Sequence, residues 1–242
     1  MSATAKVALV TGAGQGLGRA VCERLAADGF SVIAVDIDAV SAAETAAMVG
    51  GQSRTCDVGD RDSVRALRDS VPEGVDVLIN NAGIWRFHKL VGSAANDIDD
   101  VLRVNLIGTI NCSLAFAEGM GARGGGSIVN FSSAAANMRA QGVGIYPVSK
   151  AAVEALTQQL AVELGPAGIR VNAVGPGMIV TDGTRMNYEG ERGAQRAKMV
   201  PLRRVGEPSD IADVVAFLAS PESRYVSGQI IYVDGGIVAG RS

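Results

Sequence analysis

Tyr146 and Lys150 are four positions apart, and Ser133 precedes the tyrosine by thirteen positions. Residues i and i+4 lie on the same face of an α-helix, so the phenol and the ammonium are predicted to be neighbours. A nearby ammonium favours the phenolate and moves the pKa of a tyrosine, ordinarily about 10, towards neutrality. Such a tyrosine donates or accepts a proton near physiological pH. The same spacing also arises by chance on ordinary surface helices, so other parts of the chain must support the chemistry.

A glycine-rich turn follows the first apolar run and opens a predicted helix. Residues 11–18 read TGAGQGLG, and glycines let the backbone approach a pyrophosphate whose charge the helix N-terminus stabilises. Asp36 ends the second predicted strand about 20 residues further on, as in a dinucleotide site. Its carboxylate would accept hydrogen bonds from a ribose 2′-hydroxyl and repel a 2′-phosphate. Gln15 is neutral where a basic residue would suit that phosphate, so the sequence favours NAD over NADP.

Two further strand ends are expected at the same crevice. Asp57 and Val58 follow the third predicted strand, and the sequence NNAG at residues 80–83 follows the fourth. Ligands of open α/β sheets bind outside the carboxyl ends of the strands. These residues are therefore predicted to leave room for the adenosine half and to supply donors, although each pair is also compatible with a simple turn.

Short β-rich segments alternate with helical patterns along the whole chain. Continuous apolar runs such as KVALV and VDVLIN are typical of a parallel sheet buried on both faces. Right-handed crossovers then predict a single-domain α/β fold over residues 1–242, a Rossmann-type doubly wound parallel sheet of about seven strands with helices on both faces. The predicted strands are residues 7–10, 32–36, 53–56, 75–80, 127–131, 170–174 and 229–233. The predicted helices are residues 18–28, 39–49, 61–71, 97–120, 149–164 and 209–219.

One polar segment, residues 178–206, interrupts this alternation. A long insertion in a compact domain is usually a lid or a mobile segment, so we expect it to cover the substrate, with a simple surface loop as the alternative.

Composition excludes several classes of protein. Hydrophobic residues make up 48% of the chain, which predicts a large buried core, and the net charge of -3 gives no nucleic-acid footprint. We expect no membrane span, because no stretch approaches about 20 apolar residues. The first apolar run is too short for a signal peptide, so a cytoplasmic protein is expected. The three cysteines, Cys22, Cys56 and Cys112, with a single histidine, are interpreted as buried thiols, and no metal site is expected.

These motifs together resemble the short-chain dehydrogenase/reductase family over nearly the whole length. The resemblance lies in their order and spacing: TGAGQGLG, Asp36, Asp57-Val58, NNAG, Asn105 in NLIG, Ser133 in IVNFSS, Tyr146-Pro-Val-Ser-Lys150, Pro176-Gly177 and Val233-Asp234-Gly235-Gly236.

The resemblance implies hydride transfer between a nicotinamide and a carbonyl or carbinol carbon. Tyr146 would be the general base in oxidation and the acid in reduction. Lys150 would lower the pKa of Tyr146 and bind the nicotinamide ribose. Ser133 would hold and polarise the substrate oxygen, and Asn105 would anchor a water that links Lys150 to solvent. Ser132 competes for the serine role, but the thirteen-residue spacing of the family selects Ser133.

The resemblance also implies the binding residues. The cofactor contacts would be Gly12, Gln15, Gly16, Leu17, Gly18, Asp36, Asp57, Val58, Asn81, Ala82, Gly83, Tyr146, Lys150, Pro176, Gly177, Ile179 and Thr181. The substrate pocket would include Trp85, Ser133, Met138, Arg139 and Met178, with Phe87 and His88 flanking it.

Three functions remain open on the sequence. The first is an NAD-linked oxidoreductase of a small secondary alcohol or ketone. The second is an NADPH-dependent 3-oxoacyl thioester reductase, which Asp36 disfavours. Enzymes of the family that dock an acyl carrier offer basic residues at two positions, and this chain has Gly124 (beside Arg123) and Ala167 there, which also disfavours this function. The third is a silent dinucleotide-binding sensor or scaffold. The family often pairs the helices predicted at residues 97–120 and 149–164, so a homotetramer is expected.

Overall fold

In the computed structural model, which describes residues 5–138 and 140–240, seven parallel strands form one sheet. The strand order is β3-β2-β1-β4-β5-β6-β7, so the order reverses between β1 and β4. Such a reversal opens a crevice at the carboxyl ends of the two strands. The strands are β1 (Val7–Thr11), β2 (Ser31–Asp36), β3 (Gln52–Thr55), β4 (Val77–Asn80), β5 (Gly126–Phe131), β6 (Ile169–Pro176) and β7 (Ile230–Val233).

Helices connect the strands and cover both faces of the sheet. The helices are α1 (Gly16–Ala27), α2 (Ala39–Val49), α3 (Arg61–Asp69), α4 (Ala95–Leu102), α5 (Gly108–Ala122), α6 (Tyr146–Leu164), α7 (Gly190–Met199) and α8 (Pro208–Ala219). On one face, Leu25 of α1 and Val215 of α8 pack with β1. On the other, Cys112 of α5 and Leu160 of α6 pack with β1 and β5. The predicted doubly wound, Rossmann-type fold is confirmed.

The structure differs from the predicted helices at two places. The helix predicted over residues 97–120 is interrupted by a π-helical segment, Arg103–Ile107, between α4 and α5. The polar segment 178–206 contains α7, which the sequence pattern missed because Gly190 and Gly193 are unfavourable for a helix and few apolar residues mark a buried face.

The three cysteines are buried free thiols, as predicted. Among the helices in the described residues, none is long and apolar enough to cross a membrane.

Candidate active site

The glycine turn is fixed to the end of β4 by the buried side chain of Thr11, a role that the motif did not indicate. The Thr11 hydroxyl donates to the Ile79 carbonyl at 3.2 Å and accepts from the backbone N–H groups of Asn81 and Ala82 at 3.1 Å. The Asn81 side-chain amide donates to the carbonyls of Thr11 and Gly12, both at 2.9 Å. The Asn81 amide therefore holds the protein's own turn, whereas the sequence had suggested a donor for the cofactor.

Bare glycine backbone is required where the turn meets β4. Gly12 has a φ of 63°, and a Cβ there would lie 2.7 Å from the Ala82 Cα. A Cβ at Gly18 would lie 2.1 Å from the Gly12 carbonyl oxygen. Substitution at either position therefore requires the backbone of the turn to shift.

The backbone N–H groups at the N-terminus of α1 are available to bind an anion. Within the described residues, the Gln15 side chain at the N-cap makes no capping hydrogen bond, so the first N–H groups of α1 keep their donor capacity. Gly16 and Leu17 form the first turn, and a Cβ at Gly16 would lie 3.6 Å from the Thr181 side chain. These predicted cofactor residues thus meet at one point, and the arrangement fits a pyrophosphate.

Asp36 lies beside this turn, as the sequence predicted. Its two carboxylate oxygens accept from the N–H of Gly14 at 2.8 Å and the N–H of Asp38 at 3.1 Å, which leaves acceptor capacity for a ribose hydroxyl. The nearby Arg19 donates to the Gly14 carbonyl and the Thr45 hydroxyl and pairs with Glu44. Its positive charge is therefore already engaged by the protein.

Two residues that the motifs did not indicate, Arg103 and Asn111, contact Asp57 and Val58. Asp57 accepts from the Gly59 N–H and forms an ion pair with Arg103 of the π-helical segment at 2.8 Å. The Asn111 amide donates to the Val58 carbonyl at 3.0 Å. Both contacts join positions about 50 residues apart, so local sequence carries no signal for them.

The tyrosine and lysine stand at the start of α6. Helix α6 begins at Tyr146, with Pro147 in its first turn, a position that proline favours. The Lys150 ammonium lies 5.9 Å from the centre of the Tyr146 ring and donates to the Phe131 carbonyl at 2.8 Å. The predicted i and i+4 neighbours are therefore brought together, and Lys150 is 4% exposed.

The structure brings Ser133, rather than Ser132, to the tyrosine. The Ser133 side chain is near enough to Tyr146 to lower the pKa of its phenol, and the Ser133 hydroxyl accepts from the Ala135 N–H at 3.1 Å. Ser132 is buried and donates to Glu154 of α6 at 2.7 Å. Adjacent residues in extended backbone point in opposite directions, which explains why the two serines have different partners.

The electrostatics of the pair differ from the sequence expectation. Burial raises the pKa of Tyr146, although its hydrogen bond with Ser133 acts in the opposite direction. Burial also lowers the pKa of Lys150 to about 8. Lys150 therefore loses its proton at a lower pH than Tyr146 does. The pKa of Tyr146 is thus raised by burial, whereas the sequence had predicted that Lys150 would lower it.

Asn105 lies in the π-helical segment and is completely buried. Its side-chain amide binds both backbone polar groups of Ile84, at 2.8 and 2.9 Å, and donates to the Ser149 hydroxyl at 3.1 Å. A Cβ at Gly83 would lie 3.3 Å from the Asn105 Oδ1 and 3.4 Å from the Lys150 Nζ. Asn105 is thus close to Lys150, and its predicted role in anchoring a water stays a prediction.

An aromatic wall, Trp85 and Phe87, lies on the open side of the tyrosine. The two rings are stacked at 6.2 Å, and Phe87 meets the Tyr146 ring edge-on at 6.2 Å. They are 47% and 62% exposed. His88 is half-buried, and its ring contacts Asp97 at 3.2 Å and Ser93 at 2.9 Å.

The polar segment 178–206 begins beside the site. The backbone of Gly206 pairs with both Met178 and Val180, at 2.8 and 2.9 Å, and closes the base of the segment. Met178 is half-buried and Ile179 is buried. Gly177, which follows Pro176 in the chain, packs against Asp234. A Cβ at Gly177 would lie 2.6 Å from the Asp234 Cα. Met138 is half-buried, and Arg139 lies outside the described residues.

The described residues contain no cluster of three His, Cys, Asp or Glu side chains that could hold a metal ion. The remaining chemical groups are a buried acid–base pair with a serine at one end of the crevice, and a glycine turn with an adjacent carboxylate at the other. This arrangement suits a dinucleotide laid along the carboxyl ends of the strands, with proton transfer at the tyrosine.

Comparison with known proteins agrees with this geometry. A family model described as Enoyl-(Acyl carrier protein) reductase matches residues 12–238. The short-chain reductase protein NovJ of Streptomyces niveus is 42% identical, over 95% of this chain and 93% of that protein. The 3-oxoacyl-(acyl-carrier-protein) reductase FabG of Vibrio cholerae is 36% identical, over 98% of this chain and 99% of that protein.

Solved structures agree as well. A gluconate 5-dehydrogenase from Burkholderia cenocepacia, in complex with NADP and tartrate, superposes with a TM-score of 0.92 at 31% identity, over 98% of this chain and 96% of that chain. The chain therefore belongs to the short-chain dehydrogenase/reductase family, as an oxidoreductase that binds a nicotinamide cofactor and acts on CH–OH groups.

Proposed function

We propose that this protein transfers a hydride between NAD(H) and a small secondary alcohol or ketone, with Tyr146 as the general acid/base. The observation that carries the proposal is the joint placement of Ser133, Tyr146 and Lys150 at the same sheet edge as a glycine turn flanked by Asp36. The groups proposed for proton transfer and for cofactor binding therefore lie at strand ends of one sheet.

In this proposal the protein manages the proton and the geometry. A bound nicotinamide supplies the hydride acceptor in oxidation and the donor in reduction. Tyr146 removes the hydroxyl proton of the alcohol in oxidation and returns it to the carbonyl oxygen in reduction. Ser133, whose side chain lowers the pKa of Tyr146, holds the same substrate oxygen, and Asn105 anchors the water that links Lys150 to solvent.

Lys150 is assigned two tasks in the proposal. Its ammonium, fixed by the Phe131 carbonyl, would hold the nicotinamide ribose. It also provides positive charge near Tyr146 below a pH of about 8, where it remains protonated. Trp85, Met138, Arg139 and Met178 are proposed to line the substrate pocket under a lid at residues 178–206.

The preference for NAD rests on charge at the ribose end. Asp36 would repel a 2′-phosphate, Gln15 is neutral, and Arg19 is engaged with Glu44 and the turn. The remaining predicted cofactor contacts would be the backbone and small side chains of Gly12, Gly16, Leu17, Gly18, Asp57, Val58, Asn81, Ala82, Gly83, Pro176, Gly177, Ile179 and Thr181.

The second candidate is an NADPH-dependent 3-oxoacyl thioester reductase. It is favoured by the identity to the FabG enzyme of Vibrio cholerae and by the 40% identity to a mouse (3R)-3-hydroxyacyl-CoA dehydrogenase. Carrier docking would need accessible positive charge. Arg123 donates to the Val75 carbonyl and lies 3.9 Å from Asp76, so its charge is already engaged.

A cofactor and substrate panel tests these candidates. The purified protein would be assayed with NAD(H) and NADP(H) against ketones, secondary alcohols, sugars and 3-oxoacyl thioesters. The proposal predicts that kcat/KM with NAD exceeds that with NADP for a secondary alcohol or ketone. A strong NADPH preference with an acyl thioester would establish the second candidate instead, and binding of NADH without turnover of any substrate would favour the sensor or scaffold.

We also propose a homotetramer assembled through α5 and α6. Both helices carry exposed apolar side chains, including Leu114 at 60% and Val162 at 75% exposure, and covering them in an assembly would remove apolar surface from water. Light scattering of the purified protein tests this, and a monomer would refute it.

The buried free thiols further suit a reducing, cytoplasmic location, which fractionation tests.

A further inference from the structure

Two residues outside the predicted site, Glu154 of α6 and Tyr232 of β7, contact both ends of the loop that carries Ser133. We refer to residues 132–137 as the serine loop. Its inner part is a short 3-10 turn over Ala134–Ala136 whose N-cap is Ser133. The position of Ser133 therefore depends on what holds the two ends of this loop.

Ser132 holds the first end. Its hydroxyl donates to the Glu154 Oε1 at 2.7 Å and lies 3.3 Å from the Lys150 carbonyl oxygen. Glu154 follows Lys150 by four positions in α6, so the two side chains project from the same face of the helix. The loop is thereby attached to the helix that carries the tyrosine and the lysine.

Asn137 marks the second end. Its side-chain amide donates to the Tyr232 hydroxyl, and that hydroxyl donates to the same Glu154 Oε1 at 2.5 Å. One carboxylate oxygen therefore accepts from both ends of the serine loop, directly through Ser132 and indirectly through Tyr232. Hydrogen bonds to a carboxylate are roughly twice as strong as neutral ones.

Gly175 of β6 makes this contact possible. Gly175 is paired with Tyr232 across the β6–β7 ladder. A Cβ at Gly175 would lie 2.5 Å from the Tyr232 Cδ1. The ring lies directly against bare backbone, and any larger residue at 175 would push it away from Glu154.

We propose that Glu154 and Tyr232 are positioning residues that hold Ser133 in hydrogen-bonding register with Tyr146. The inference rests on the proposed function, because it assumes that Ser133 polarises the substrate oxygen. Misplacement of a reacting group by about 1 Å can cost on the order of 100-fold in rate. Release of the serine loop would therefore reduce turnover while the glycine turn, which among the described residues shares no hydrogen bond with this network, continues to bind cofactor.

The test compares Glu154→Ala, Glu154→Gln and Tyr232→Phe with the control Glu163→Ala. Glu163 is an exposed residue of the same helix whose side chain bonds Gln159. Hydrogen–deuterium exchange would be followed at residues 132–138, together with kcat, the KM for NAD and the alcohol that the wild type turns over best, and NADH binding by fluorescence.

For Glu154→Ala we expect faster exchange at residues 132–138 and about a tenfold lower kcat, within the range that misplacement allows. The KM for NAD and the affinity for NADH should stay within about twofold. Glu154→Gln keeps an acceptor oxygen and should retain most of kcat, and Tyr232→Phe should fall between the two. Glu163→Ala should match the wild type.

Unchanged exchange in Glu154→Ala would overturn the inference, even for a protein with no identified substrate. Faster exchange with an unchanged kcat would also overturn it, because the loop would then not govern the chemistry. A wild type that turns over no alcohol or ketone, but whose exchange responds to Glu154→Ala, would instead contradict the proposed function.

Discussion

The cofactor end and the substrate end of the crevice are built in different ways. At the cofactor end, Thr11 and Asn81 lock the glycine turn to β4 by five hydrogen bonds, and Gly12 and Gly18 have no space for a side chain. At the substrate end, Trp85 and Phe87 are about half exposed and stack on each other, and Phe87 contacts Tyr146.

The difference follows from what each end must recognise. A pyrophosphate and ribose have a fixed shape, so backbone N–H groups and a single carboxylate, held rigidly, are sufficient. Exposed side chains on surface segments are free to change without disturbing the sheet. The rigid end identifies the cofactor class, and the open end leaves the substrate undetermined.

Tyr146→Phe tests the point at which the two ends meet. Loss of the phenolic hydroxyl removes the proposed acid/base, so we expect kcat to fall by about 10²–10⁴-fold. NADH binding, measured by fluorescence, should remain, because the glycine turn and Asp36 are unchanged. Tyr225→Phe, at a fully exposed tyrosine, is the matched control. Intact turnover in Tyr146→Phe would sink the mechanism.

Gly12→Ala against Gly183→Ala tests the contrast in rigidity. At Gly12 a Cβ meets the Ala82 backbone at 2.7 Å, and the φ of 63° is unfavourable for alanine. We expect the free energy of unfolding to fall by about 2–4 kcal/mol and NADH binding to weaken.

At Gly183, apart from its chain neighbours, no atom of the described residues lies within 4 Å of a Cβ. Gly183→Ala should therefore be within about 0.5 kcal/mol of the wild type. Urea unfolding measures both variants, and equal losses would remove the distinction between the two ends.

Lys150 predicts a pH dependence of stability. Burial lowers the pKa of Lys150 from its usual 10.5 to about 8 in the folded protein. Below pH 8 both folded and unfolded states carry the proton, and the cost of the buried charge is fully present. Between pH 8 and 10.5 the unfolded state binds more protons, so folding stability rises with pH.

Comparison with Lys150→Met isolates this effect, because other titrating groups are common to both proteins. The stability of the wild type relative to the variant should rise by on the order of 3 kcal/mol between pH 7 and 10.5. Urea unfolding across this range measures the difference. A difference that stays constant with pH would show that Lys150 is not held in a low-dielectric site.

Sequence reasoning identified the fold and the neighbourhood of Tyr146 and Lys150, because these depend on periodicity and on local spacing, while the choice of Ser133 came from the family resemblance. It did not find the contacts made by Thr11, Arg103 or Glu154. Their partners lie 22 to 71 residues away in the chain, and a single sequence gives no register for such contacts. It also read Asn81 as a cofactor donor, since a motif does not show where an amide points.

The electrostatic misreading has a related cause. The i and i+4 spacing correctly placed Lys150 beside Tyr146, but spacing does not reveal that both groups are buried. Burial disfavours the charged form of each, which reverses the shift expected for Tyr146 from proximity alone.

Asp36 tests the charge of the cofactor end. Asp36→Ala removes the proposed acceptor for the ribose hydroxyl, and a hydrogen bond to a charged group contributes about 1.5–3 kcal/mol. We expect kcat/KM with NAD to fall by roughly 10- to 150-fold and kcat/KM with NADP to rise. Asp36→Asn keeps an acceptor for the Gly14 N–H and removes the charge, so it should admit NADP with a smaller loss for NAD. An unchanged ratio of the two cofactors would contradict the role of Asp36.

Phe87→Ala tests the aromatic wall and has the smallest expected effect. An aromatic pair contributes about 0.5–1.5 kcal/mol beyond area burial, so we expect the kcat/KM for the best substrate to change by roughly 2- to 12-fold. NADH affinity should be unaffected, because the ring contacts of Phe87 are with Trp85 and Tyr146 and the glycine turn is unchanged.

Val91→Ala, on the same surface segment and 93% exposed, is the control and should match the wild type in both measurements. If Phe87→Ala weakened NADH binding as much as it weakened substrate use, the aromatic wall would belong to the cofactor end. The division of the crevice into a rigid and an adaptable half would then be wrong at its boundary, since the ring that touches Tyr146 would serve both ligands.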